Sequence, residues 1–169
     1  MMSTSRADIA IRQTGGAGLP ILLIHGEGES KEAFETLFSA SAPNSHRLIA
    51  IDLPGHGRSG EADDPATACT VEGYADLALE VLERLGIDNA FVVDRSPGGC
   101  IGRELMTIFP GMVGLAIVVG ADGRTADLGW GPVPVFEIAE TARSIEPALL
   151  RLAASAAALE RAPLAWFGG

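Results

Sequence analysis

A chain of 169 residues with 47% apolar and 20% charged side chains can bury one sizeable core, and its composition is neither fibrous nor disordered. The formal net charge of −10, with no stretch rich in Lys or Arg, argues against nucleic acid and anionic membrane surfaces as partners. The polar start Met1–Asp8 has no apolar signal region, and no apolar run reaches the ~20 residues of a membrane span, so a cytoplasmic location is expected.

Strands and helices alternate along the chain. Ile9–Gln13 reads as a strand and Gly15–Gly18 as a turn. Pro20–Ile24 is a continuous apolar run, the mark of a strand covered on both faces. Ser30 is placed to cap a short helix through Phe38, with Ala33, Phe34, Leu37 and Phe38 on one side. His46–Ile51 reads as a strand halted by Pro54-Gly55, with His46 at the surface. After the acidic loop Glu61–Pro65, Thr70 caps a helix in which Val71, Tyr74, Ala78, Val81, Leu82 and Leu85 recur at helical spacing, and Gly86 stops it. Asn89–Val93 is a short buried strand, followed by the turn Ser96-Pro97-Gly98-Gly99 and a helix to about Phe109. Val113–Val119 is the next strand. Beyond Gly120, residues 122–134 read as a Gly/Pro-rich loop, and Val135–Ser144 and Pro147–Leu159 as helices.

This order predicts an α/β fold, a mostly parallel sheet flanked by helices, with a core over residues 1–122 and a helical segment over 123–169. No strand pattern follows Val119, so Val113–Val119 is expected at an open edge. It carries no charge or proline to blunt that edge, which predicts pairing with a second copy or aggregation. Cys69 and Cys100 are too few and too distant for a disulfide framework or a zinc site and are expected as reduced thiols. No G-x-G-x-x-G or P-loop pattern occurs, so no nucleotide binding is indicated; no metal or other cofactor is expected.

Three motifs fall at strand ends: Leu23-Ile24-His25-Gly26, then Asp52-Leu53-Pro54-Gly55-His56-Gly57-Arg58-Ser59, then Asp94-Arg95-Ser96-Pro97-Gly98-Gly99. Over residues 8–122 their order and spacing resemble the α/β-hydrolase family, with its HG oxyanion loop, its D-x-P-G-x-G-x-S loop and its G-x-S-x-G nucleophile elbow. The resemblance puts Ser96 at the nucleophile position and the backbone N–H groups of Glu27 and of the residue after the nucleophile in the oxyanion hole. Asp122 matches a place where some members carry the triad acid, but the residues themselves read first as an Asx-type turn in Asp122-Gly123. His25 matches the HG motif, where it shapes the loop, and Asp52, Gly55, His56, Gly57 and Gly98 match motif positions. The segment after Gly129 resembles the start of the family's cap; Val135, Phe136, Ile138, Leu149, Leu150, Leu152 and Trp166 could line a pocket under it or serve as ordinary core.

Several features oppose ordinary catalysis. The residue after Ser96 is Pro97, which has no N–H to donate. Asp94 stands where the elbow pattern has a small residue; the sequence reading has it solvated by a slight opening of the turn, or paired with Arg95. Serine needs a base, yet His25, His46 and His56 all precede Ser96, whereas the family's histidine follows the acid. The family's final strands, which carry that histidine, have no counterpart, so the resemblance implies a chain cut short before them. The expected function is hydrolysis of a small ester, or a related acyl or C–C bond, through an acyl-enzyme at Ser96, impaired in this chain. The alternative is a catalytically incompetent relative that binds a small apolar molecule or a partner.

Overall fold

The apolar runs become the inner strands of one sheet, because a strand covered by helices on both faces must be apolar at every position. The computed structural model describes residues 1–39, 46–95, 100–109, 113–119 and 135–138. A small hairpin pairs β1 (Met2–Ser3) with β2 (Asp8–Ile9). The main sheet holds β3 (Ile11–Gln13), β4 (Gly18–Ile24), β5 (His46–Ile51), β6 (Ala90–Asp94), β7 (Val113–Val119) and β8 (Val135–Ile138) in the order β3-β5-β4-β6-β7-β8. Only β3 runs antiparallel, against β5; β5, β4, β6, β7 and β8 are mutually parallel.

The expected strand Ile9–Gln13 is thus broken at Ala10. That residue gives its N–H to the Ser59 hydroxyl at 2.9 Å and its carbonyl to the Asp52 N–H at 3.0 Å, so its bonds serve the 52–59 loop. A second correction concerns Val135–Ile138, which is a strand and not the start of a helix. Its four residues pair with Ala116–Val119, so β7 has a neighbour on each side and is not an open edge. The Val-Phe-Glu-Ile segment contains β-branched and aromatic side chains, and the ladder offered by β7 outweighs a weak helical pattern.

Alternate residues of the strands feed two cores. Leu22, Ile24, Ile49, Ile51 and Val92 pack under α3 (Val71–Arg84) and α4 (Cys100–Ile108). Ile21, Leu23, Leu48, Ala50, Phe91 and Val93 pack on the other face against Phe34 and Leu37. Those two come from a 3-10 turn, Lys31–Phe34, running into α1 (Glu35–Ser39), while the short α2 (Pro65–Ala68) leads into α3. Each Val, Leu, Ile or Phe side chain among these core residues stabilises the fold by ~1.5–3 kcal/mol on burial. Helix α3 begins as expected, with the Thr70 hydroxyl accepting the Gly73 N–H at 3.0 Å. Its buried stripe is Ala75, Leu77, Ala78, Val81 and Leu82, while Val71 is exposed. Ser30 precedes the 3-10 turn but makes no side-chain cap; its hydroxyl binds Glu32, Ala33 is exposed, and Lys31 is buried there beside Phe34. No helix among the described residues is long and apolar enough to cross a membrane.

Candidate active site

In a parallel sheet the loops after the strands gather at one edge, and there the order β5-β4-β6 brings the first two motifs together with Asp94 and Arg95 of the third. The loop after β4 lies in the middle, flanked by the 52–59 loop after β5 and by the end of β6.

His25 is fully buried and stitches the first two loops. Its Nε2 accepts the Leu53 N–H at 3.0 Å, so Nδ1 carries the proton and donates to the Gly26 carbonyl at 2.8 Å. Burial is the main reason its pKa is lowered; the Gly26 carbonyl opposes this and the nearby His56 adds to it. The two imidazole rings lie 5.0 Å apart between centroids. His56 donates from Nδ1 to the Pro54 carbonyl at 2.9 Å. His46, expected at the surface, is buried and donates from Nδ1 to the Leu19 carbonyl at 3.0 Å, because β5 lies between β3 and β4.

Asp52 organises the second loop. Its buried carboxylate accepts the Lys31 N–H at 2.7 Å, the Lys31 ammonium at 2.5 Å and the Arg58 N–H at 2.8 Å. Its carbonyl accepts the Ser59 hydroxyl at 2.7 Å. Gly55 closes the loop by donating its N–H to the Gly60 carbonyl at 3.0 Å. Gly57 sits at φ +55°, and a Cβ there would lie 2.3 Å from Asp52 Oδ2, so the glycine is required both by conformation and by space.

The loop after β4 turns at Gly26–Glu29, the Glu29 N–H reaching the Gly26 carbonyl at 3.1 Å with Gly28 at φ +70°. Glu27 is exposed, and among the described residues its N–H meets no acceptor. Arg95 donates its backbone N–H to the Ile24 carbonyl at 2.9 Å, and its own carbonyl lies 3.0 Å from where a Cβ on Gly26 would stand. Its guanidinium pairs with Glu29 at 2.7 Å, not with Asp94. Asp94 itself is fully buried, which corrects the expectation of a solvated carboxylate: it accepts the Gly102 N–H at 2.7 Å in the first turn of α4, where the helix dipole favours negative charge.

Ser96, Pro97, Gly98 and Asp122 lie outside the described residues, as do Leu149, Leu150, Leu152 and Trp166. Glu29 and Lys31 escaped the sequence reading; a Glu and a Lys beside a capping Ser look like solvated surface, and only the fold brings them to Arg95 and Asp52. Cys69 is exposed and Cys100 half-buried, and neither forms a disulfide among the described residues. No group of three His, Cys, Asp or Glu side chains among the described residues could hold a metal ion. A cavity of about 310 Å³ between the N-terminal residues and the 63–68 segment is lined by Ser5, Arg6, Asp63, Asp64, Thr67 and Ala68 and includes none of the motif residues.

The sequence profile of the alpha/beta hydrolase fold matches residues 20–158. An uncharacterised protein of Mycobacterium bovis is 35% identical over 138 residues, covering 81% of this chain and 38% of that protein. The 2-hydroxymuconate semialdehyde hydrolase of Pseudomonas sp. (strain CF600) is 33% identical over 129 residues, covering 72% of this chain and 45% of the enzyme. Among solved structures, the N-acyl homoserine lactonase AidH complexed with N-butanoyl homoserine superposes with a TM-score of 0.66 at 39% identity, over 71% of this chain and 43% of the other. The chain therefore spans less than half the length of these relatives. With a profile match over most of its length, and the first two motifs gathered with Asp94 and Arg95 at one sheet edge, the chain belongs to the α/β-hydrolase fold family.

Proposed function

We propose that the chain carries the nucleophile and oxyanion side of a serine-type hydrolase acting on a small ester, lactone or related acyl or C–C bond, with Ser96 as nucleophile. The observation that supports it is the anchoring of Arg95. Its backbone is bonded to Ile24 and packed on Gly26, so the residue leading into Ser96 lies beside the peptide whose N–H, that of Glu27, has no acceptor among the described residues. A hydroxyl and an unspent N–H donor on adjacent loops are what acyl transfer requires. The lactonase and the 2-hydroxymuconate semialdehyde hydrolase among the relatives favour a hydrolase of small molecules.

The 169-residue polypeptide is, in this proposal, an impaired catalyst. Pro97 supplies no second N–H donor, and the loss of one donor costs ~10²–10³ in rate. Neither His25 nitrogen is available as a base, since both are engaged with backbone. His46 begins β5, about 16 Å along the strand from the motif edge. His56 follows β5, on the far side of β4 from β6. The alternative, a binding-only relative, rests on the same two deficits. Hydrolysis of p-nitrophenyl acetate separates these readings. The proposal expects a slow release of nitrophenol that Ser96→Ala lowers further. A rate identical in Ser96→Ala favours the binding-only alternative, and turnover at ~1–10³ s⁻¹ contradicts the impairment.

A further inference from the structure

We propose that Glu29 is a positioning residue for the oxyanion loop, setting the direction of the Glu27 N–H through a two-handed carboxylate. The inference deepens the proposed function and rests on Ser96 being the nucleophile. Glu29 Oε2 accepts the Gly26 N–H at 2.9 Å, and Oε1 pairs with the Arg95 guanidinium at 2.7 Å. One side chain thus ties the loop after β4 to the residue that precedes Ser96.

The geometry of a peptide unit makes this consequential. The Gly26 carbonyl and the Glu27 N–H belong to one planar trans peptide and point in opposite directions. That carbonyl is held by the His25 Nδ1–H at 2.8 Å and the Glu29 N–H at 3.1 Å, so the Glu27 N–H is turned away from both. The preceding peptide is held in turn, because the Gly26 N–H is taken by the Glu29 carboxylate. Rotation of the loop would have to break contacts on both sides of Gly26. Burial cannot supply the same restraint: Glu27 and Gly28 are exposed, and at Gly28 a Cβ would meet nothing within 4 Å. The Arg95 guanidinium keeps the carboxylate where it can reach Gly26. Its side chain is 24% exposed and that of Glu29 34%, so the pair works through geometry more than through raw stability.

The test uses the 15N-labelled 169-residue protein as wild type, Glu29→Gln and Glu29→Ala. Two quantities are read: the exchange rate of the Gly26 amide by NMR, and the rate at which a fluorophosphonate modifies Ser96 by intact mass. In that modification the Ser96 Oγ–P bond forms, the P–F bond breaks, fluoride leaves and the hydroxyl proton passes to solvent. Gln keeps an acceptor for the Gly26 N–H but loses the charge; Ala loses both. The expected result is graded, with Gly26 exchange accelerated about tenfold or more in Glu29→Ala and less in Glu29→Gln, and Ser96 modification slowed in the same order while the thermal midpoints stay close. Gly26 exchange within twofold of wild type in Glu29→Ala overturns the proposal. So does a loosened Gly26 with Ser96 modification unchanged. A wild-type protein that takes no label at Ser96 removes the nucleophile assignment instead, and Gly26 exchange then still decides whether Glu29 sets the turn.

Discussion

Lys31 and Asp52 form an ion pair in the interior, Nζ lying 2.5 Å from Oδ2 with side chains 8% and 0% exposed. The pair links the 3-10 turn over one face of the sheet to the glycine-rich loop after β5. Its carboxylate also holds two backbone N–H groups, so Asp52 acts as the internal frame of that loop. Charges taken this far out of water are tolerated only when paired and hydrogen-bonded, and both conditions are met.

Removal of one partner should therefore cost far more than a surface ion pair. Lys31→Met keeps the aliphatic stem and leaves the Asp52 carboxylate buried without its cation. A loss of ~3–5 kcal/mol is expected, read as a shift in the urea midpoint. By contrast, Arg84→Ala breaks an exposed i,i+4 pair with Glu80 and should cost less than ~1 kcal/mol. If the two substitutions cost the same, the Lys31–Asp52 pair does not carry the loop.

Stability should fall as the pH drops below neutrality, and His25 is the reason. Its folded pKa is lowered, chiefly by burial, so the unfolded chain binds a proton that the folded chain refuses. The sign follows: the contribution is complete above the unfolded value near ~6.5 and is lost as the pH falls from there toward the lower folded value. Protonating Nε2 would also expel the Leu53 N–H. Carboxylates such as Glu32, held down to about 2 by hydrogen bonds from Ser30 and Lys31, titrate well below this window. His25→Gln can donate and accept as the neutral ring does but does not titrate. Urea midpoints between pH 7.5 and 5.5 should slope less in this variant than in wild type; equal slopes would remove His25 as the cause.

Two glycines at positive φ separate backbone strain from crowding. Gly28 is open, so Gly28→Ala should cost only the left-handed penalty, ~1–2 kcal/mol. Gly57→Ala bears the same penalty and in addition drives a methyl group into the Asp52 carboxylate. It should displace that side chain from Lys31 and Arg58 and destabilise by at least ~3 kcal/mol. Equal midpoints for the two variants would mean that the Asp52 cage yields without cost.

What could be read from residues alone divides along physical lines. The parallel strands Pro20–Ile24, His46–Ile51 and Asn89–Val93 were legible because a doubly covered strand must be apolar throughout, and Thr70 because its hydroxyl caps through local contacts. The break at Ala10 was not legible, since it depends on Ser59 and Asp52, which lie more than 40 residues away. Nor was the strand Val135–Ile138, where four residues are too short for periodicity and the partner strand decides. In the candidate site, motif spacing located His25, Asp52 and Gly57. It could not show that Asp94 is buried on α4, or that Glu29 and Lys31 hold the loops, because polar residues at turns look alike until the fold supplies their partners.

The elbow offers the sharpest test of which deficit limits catalysis. Pro97→Leu restores an N–H after Ser96, a donor worth ~10²–10³ in rate when it is the missing part. Asp94→Gly restores the small residue of the pattern, but it strips the Gly102 N–H of its acceptor and empties a fully buried position, so it should lower stability. Under the proposed function, neither variant gains a histidine to take the Ser96 proton. His25 is engaged at both nitrogens, His46 begins β5, and His56 lies in the loop that follows β5, beyond β4. Pro97→Leu, alone or with Asp94→Gly, should therefore raise kcat/KM on p-nitrophenyl acetate by less than about tenfold. Imidazole in solution can act as an added base. After subtraction of its own ester hydrolysis, measured with the Ser96→Ala protein, it should accelerate Pro97→Leu more than the parent chain. A thousandfold rise in the double variant without imidazole would mean that the elbow, and not the base, was limiting.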